Sequence, residues 1–241
     1  MIYLGDKQED IQKSVTVSSC WMGAYGWDDF PSGAHKPCNA FTPAAIANAG
    51  KDDTIIIAHS LGSRIAFDAL QLTARLINDE KVREAYPDLE KVHRLVQDKE
   101  ITIFMLSNQL PLLQLGRSLP EVLNENEKYC SAQGSHYLER FANQTHIVAF
   151  SDPNDILSYA IPAGFEDKYL DSRMCTIVSN IILNIANVVD VFGVSNLANP
   201  MEAHLGYDHD ERVIALMAHG LSNKSMAPII KERCDWTELT H

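Results

Sequence analysis

Short, nearly unbroken apolar runs alternate along the chain with longer stretches of helical period. Ile2-Tyr3-Leu4, Val15-Thr16-Val17, Thr54–Ala58, Ile101–Leu106 and His146–Phe150 are rich in β-branched residues and bounded by polar or turn residues, which predicts strands. Apolarity that is continuous rather than alternating predicts strands covered on both faces, as in a parallel sheet between helices. Val188–Val194 reads as a further strand, with Asp190 inside it. After Ser60, apolar residues at Leu61, Ile65, Ala69, Leu72 and Leu76 form one stripe, predicting a helix that ends near Asn78. Asp79–Glu100 is heavily charged and broken by Pro87, and reads as a solvated surface excursion. Asp210–His219 carries Val213, Leu216 and Met217 on one face, predicting a late helix. Strand–helix alternation of this kind gives an α/β class with right-handed crossovers.

Length and composition fit this picture. The 241 residues suit one domain spanning 1–241, and 46% hydrophobic with 22% charged residues is ordinary globular usage. A formal net charge of −12 disfavours nucleic acid or an anionic membrane face as the main partner, because phosphate neutralisation needs a basic surface. The longest apolar stretch, Thr176–Val189, is interrupted by Ser179, Asn180, Asn184 and Asn187, too short and polar for a membrane span. The start shows no signal peptide, so a soluble, cytoplasmic protein is the default expectation. The five cysteines, Cys20, Cys38, Cys130, Cys175 and Cys234, have no C-x-x-C pair. They suggest neither a disulfide scaffold nor a zinc site, with one bridge such as Cys20–Cys38 left open. Oligomeric state is not readable.

The sharpest chemical signal is Ala58-His59-Ser60-Leu61-Gly62, between a predicted strand and an amphipathic helix. A serine on such a tight turn is forced into a strained backbone that lifts its hydroxyl above the sheet edge. The residues two before and two after it come close and must be small, which Ala58 and Gly62 satisfy. The next helix aims its N-terminus at the same point and favours developing negative charge there. Its competing explanation is a buried serine at an ordinary helix N-cap.

This segment resembles the nucleophile elbow G-x-S-x-G of the α/β-hydrolase family, with Ala58 in place of the first glycine. The resemblance implies a mostly parallel sheet flanked by helices and a chain order of Ser, then Asp, then His. Asp155, after the strand His146–Phe150, matches the acid turn, with Asp152 as the runner-up beside Pro153. His204, in the predicted loop Asn199–Tyr207, matches the base, with His209 and His219 as competitors and His59 assigned to packing or elbow support. The oxyanion donors implied are the backbone N–H of Leu61 and, after the strand Met1–Leu4, that of Asp6. The stretch of chain from Asp6 to Ser60 is short for the family, which implies a small or N-terminally shortened member.

Trp21, Tyr25 and Trp27, expected between early strands, and Leu112, after Ile101–Leu106, are candidates for a substrate pocket; simple packing explains the leucines equally well. His204, Asp208, His209 and Asp210 match no closed zinc spacing, and a solvated acidic loop is their commoner explanation. The expected activity is hydrolysis of a small-molecule carboxylic ester through Ser60, His204 and Asp155, with no cofactor and no metal. Thioesterase, acyltransferase or amidase chemistry on the same residues, a metal-dependent hydrolase, and a binding protein without turnover remain as alternatives.

Overall fold

The computed structural model describes residues 5, 7–24, 38, 42–51, 53–115, 117–191, 195–220 and 227–234. Four strands, β1 (Thr54–His59), β2 (Glu100–Leu106), β3 (Gln144–Ser151) and β4 (Thr176–Ile182), form one all-parallel sheet in the order β1-β2-β3-β4. Helices flank it, so the chain is of α/β class. The expected strands at Thr54, Ile101 and His146 are present, whereas Met1–Leu4 lies outside the described residues.

Sequential order with right-handed crossovers puts every β-to-β connection on the same face. That face is packed by α3 (Leu61–Asn78), α5 (Leu89–Gln97) and α7 (Phe165–Tyr169). Phe67, Ala74 and Ile77 of α3 and Phe165 of α7 cluster there with Ile101, Ile103, Met105, Ile147 and Ala149 of the sheet. Because side chains alternate along a strand, Phe104, Leu106, Val148 and Phe150 point the other way. They meet Tyr207 in the 3-10 turn Gly206–Asp208, Val213 and Leu216 of α9 (Glu211–His219), and Ile230 of α10 (Pro228–Arg233). The expectation of cover on both faces fails at β1. This strand is the sheet edge among the described residues, and Ile55 and Ile57 are 61% and 60% exposed.

β4 was hidden in the sequence by its polar interruptions, which the fold pairs. Ser179 Oγ lies 2.9 Å from His146 Nε2 on the neighbouring strand, and the Asn180 side chain exchanges two hydrogen bonds with the Ile161 main chain. The described part of Val188–Val194, β5 (Val188–Val191), does not join this sheet and pairs antiparallel with β6 (Ser195–Ala198).

Two further expectations are corrected. Val15–Val17 is not a strand but part of α1 (Gln8–Ala24), which packs against α2 (Pro43–Ala49) and α3. Three β-branched residues are too few to impose extension, and the Ser14 and Thr16 hydroxyls bond back to the carbonyls of Asp10 and Gln12 within the helix. Asp79–Glu100 is not a solvated excursion. It forms α4 (Glu80–Ala85) and α5, with Pro87 in the turn between them and Asp79 capping α4 through Val82 N–H. Leu89 and Val96 reach the core, and His93 and Gln97 are buried. Dense charge on the outer face concealed the apolar stripe.

Bridges join Cys20 to Cys38 and Cys130 to Cys175, with Cys234 outside any disulfide, so disulfides contribute more than the sequence suggested. No helix among the described residues is long and apolar enough to cross a membrane.

Candidate active site

The carboxyl ends of β1, β2 and β3 form one rim, where open parallel sheets present ligand-binding residues. His59 and Leu106 are the last paired positions of β1 and β2, and one step beyond them stand Ser60 and Ser107. Both leave the sheet with positive φ, 56° at Ser60 and 50° at Ser107, a region that costs a non-glycine residue about 1–3 kcal/mol. The Ser60 N–H still bonds the Leu106 carbonyl at 2.9 Å, while the Ser60 carbonyl accepts from Ser63 N–H and opens α3. The chain therefore turns from strand to helix on a single residue. A Cβ placed on Gly62 would meet the Ala58 Cβ at 3.9 Å, an ordinary van der Waals contact, so the two arms of the turn come close without crowding.

This turn directs Ser60 Oγ to His204 Nε2, at 3.0 Å. His204 Nδ1 lies 2.9 Å from Asp155 Oδ2. The three residues come from β1–α3, from beyond β3, and from α8 (Pro200–Leu205), so the arrangement is purely tertiary. His204 is not on a loop as expected. Asn199 caps α8 by accepting from Met201 N–H, and Pro200 occupies the first turn, where its missing N–H costs nothing. His209 sits on the surface 3.6 Å from Asp208, while Asp210 caps α9 and binds Arg212.

Asp155 is buried, at 4% exposure. Burial pushes its carboxyl up, but hydrogen bonds from Ser107 Oγ, the Leu157 N–H and His204 outweigh this and hold it below the usual carboxylate range. Asp152, the competing acid, faces away from the imidazole. One of its oxygens accepts from the Asn154 main and side chains and the other from the N–H groups of Ile185 and Ala186, so it fastens the loop after β3 to the chain leaving β4. His59 reaches the main chain of His204, in keeping with a supporting role.

Residues the sequence reading passed over complete the site. Ser107 Oγ donates to Asp155 Oδ2 at 2.6 Å and stands 2.9 Å from His204 Nδ1. Asn108, fully buried, bonds Tyr159 through both main chain and side chain and so ties the acid loop to the end of β2. Gln109 Nε2 donates to Ser60 Oγ at 3.0 Å. The available signal was three consecutive polar residues at the carboxyl end of an apolar strand.

Leu61 is the first residue of α3, so its N–H lies outside the helical ladder beside Ser60. Asp6, Tyr25 and Trp27 lie outside the described residues. Trp21 does not sit between strands: it is half-buried in the last turns of α1, next to the bridged Cys20. Leu112 is half-buried in the 3-10 turn Leu112–Gln114 that follows Gln109. Among the described residues no group of three or more His, Cys, Asp or Glu side chains is gathered as a metal site would require. Chemically, a hydroxyl, an imidazole and an ionised carboxylate in series can transfer a proton from the hydroxyl as it attacks an electrophile. No family model, curated protein or solved structure matches this chain.

Proposed function

We propose that this protein is a serine hydrolase of the α/β-hydrolase type, cleaving carboxylic esters of small molecules. One observation carries the reading: Ser60 Oγ, His204 and Asp155 stand in series at 3.0 and 2.9 Å, in the chain order serine, acid, base. The strained strand-to-helix turn at Ser60 and the parallel sheet beneath it support the same reading.

In this scheme Ser60 Oγ attacks the ester carbonyl carbon while His204 Nε2 takes its proton. Asp155 accepts from Nδ1–H, keeps the imidazole in the required tautomer, and stabilises the imidazolium. The carbonyl oxygen becomes an oxyanion beside the Leu61 N–H. His204 returns the proton to the leaving alcohol, and water, activated by the same imidazole, releases the acid from Ser60. The steps use only groups of the chain and one water.

Fluorophosphonate labelling tests the scheme, with mass spectrometry to locate the adduct. Ser60 of the wild type should be modified, and Ser60→Ala should abolish both labelling and p-nitrophenyl acetate turnover. A folded wild-type protein that resists the reagent, or a Ser60→Ala variant that retains turnover, would overturn it. The triad does not select the leaving group, so a panel of ester, thioester and amide substrates ranks these chemistries.

A further inference from the structure

The chain leaves β2 through Ser107-Asn108-Gln109, and each of these side chains is committed to a different part of the site. Ser107 serves the acid, Asn108 the acid loop, and Gln109 the nucleophile. The backbone beneath Gln109 is fixed on both sides. Asn108 N–H bonds the Phe150 carbonyl at 2.9 Å, Leu110 N–H bonds Asn108 Oδ1 at 3.1 Å, and the Gln109 carbonyl accepts from Leu113 N–H at 3.0 Å. Gln109 is 7% exposed, and among the described residues its side chain makes one hydrogen bond, from Nε2 to Ser60 Oγ. A carboxamide taken out of water needs such a partner. Here the partner is the oxygen that would react.

That placement has a chemical consequence. In the resting site Ser60 Oγ gives its hydrogen to His204 Nε2 and receives one from Gln109. When Oγ bonds to a carbonyl carbon, its lone pair is spent and it becomes an ether-like oxygen, a poorer acceptor. The negative charge appears on the former carbonyl oxygen, attached to the same carbon. A Gln109 N–H already held against Oγ then has the oxyanion as its strongest acceptor within reach.

Resting on the reading above, we propose that the Gln109 carboxamide is an oxyanion donor, acting beside the Leu61 N–H in the part the sequence reading gave to Asp6. It is a neutral donor positioned by a rigid turn, so it favours charge that develops in the transition state without binding the uncharged ester equally well.

The test compares wild type, Gln109→Met, which keeps the volume and removes the donor, and Gln109→Ala. Each is assayed for the second-order rate constant of fluorophosphonate labelling, for the inhibition constant of a trifluoromethyl ketone, and for the thermal unfolding midpoint. Removing one oxyanion donor typically costs about 10²–10³ in rate. A fall of that size in labelling, with a matching loss of ketone affinity and an unchanged midpoint, supports the proposal. Labelling at the wild-type rate overturns it, as does slow labelling with undiminished ketone affinity, which would make Gln109 only a guide for the nucleophile. A crystal structure of the wild-type phosphonyl adduct decides the matter without a variant. Gln109 Nε2 within about 3.2 Å of the phosphonyl oxygen supports the assignment, and a separation beyond about 4 Å ends it. Absence of labelling in the wild type would instead remove the hydrolase reading itself.

Discussion

His59 Nε2 donates to the main-chain carbonyl oxygen of His204 at 2.8 Å, across 145 positions of sequence. A carbonyl only accepts, so this nitrogen carries the proton. The residue before the proposed nucleophile thus grips the backbone of the residue that would serve as its base, and the two rings lie edge to face at 5.2 Å. His59→Leu removes one partly solvated hydrogen bond, a loss of about 1 kcal/mol and roughly fivefold in kcat, with KM little changed. Steady-state kinetics with p-nitrophenyl acetate give both values.

The two aspartates after β3 separate by the kind of damage their loss causes. Asp155→Asn leaves the shape but removes the ionised partner of Nδ1, and kcat should fall on the order of 10⁴-fold with the unfolding midpoint nearly kept. Asp152→Asn leaves the chemistry and weakens the ties to Asn154, Ile185 and Ala186. Its cost is about 1–3 kcal/mol of stability, read by urea unfolding, with kcat per folded molecule largely retained.

Ser107→Ala tests the acid side of the stability profile. The Asp155 carboxyl is held below its usual range with Ser107 among the causes, so the stabilisation it supplies is present above the unfolded-state value. It is lost as pH falls through the depressed folded-state value. Removing the hydroxyl lessens that depression. The variant should be about 1–3 kcal/mol less stable at neutral pH, with the gap closing in strong acid, where Asp155 is protonated in both proteins. Urea unfolding at a series of pH values measures this.

The bridge between Cys130 and Cys175 closes a separation of 45 residues, tying the end of α6 (Asn126–Cys130) to the residue before β4. Its loss in Cys130→Ser/Cys175→Ser should cost about 2–4 kcal/mol, measured by urea unfolding. Thiol titration of the denatured, unreduced protein should count one thiol, that of Cys234, and all five cysteines after reduction.

Much of the fold was legible because burial on two faces leaves a simple trace. β2 and β3 are nearly unbroken apolar runs, and α3 ends at Asn78 as expected, although it packs on the sheet through Phe67, Ala74 and Ile77 rather than through the stripe from Leu61 to Leu76. Ser60, Asp155 and His204 were identified from local context, a strained turn and two late segments, and the structure brings them into hydrogen-bonding reach. What escaped depends on partners distant in sequence. Ser179 and Asn180 in β4 read as interruptions until His146 and Ile161 are seen beside them. His93 and Gln97 look like surface residues until the Arg140 and Leu138 carbonyls are placed against them. Ser107 and Gln109 carry no local sign of which groups they meet, because a single polar side chain does not specify its contact.

The sequential strand order has a consequence for synthesis. As the chain emerges, β1 to β4 can assemble with the helices between them, burying one side. Phe104, Leu106, Val148 and Phe150 then wait for Tyr207, Val213 and Leu216, whose stretch of chain begins with the helix bearing His204. A nascent protein would therefore hold the Ser60 hydroxyl and the Asp155 carboxylate but not the His204 imidazole until its greasy second side is about to be sealed. Completion of the proposed reactive centre and protection from aggregation would become a single late event.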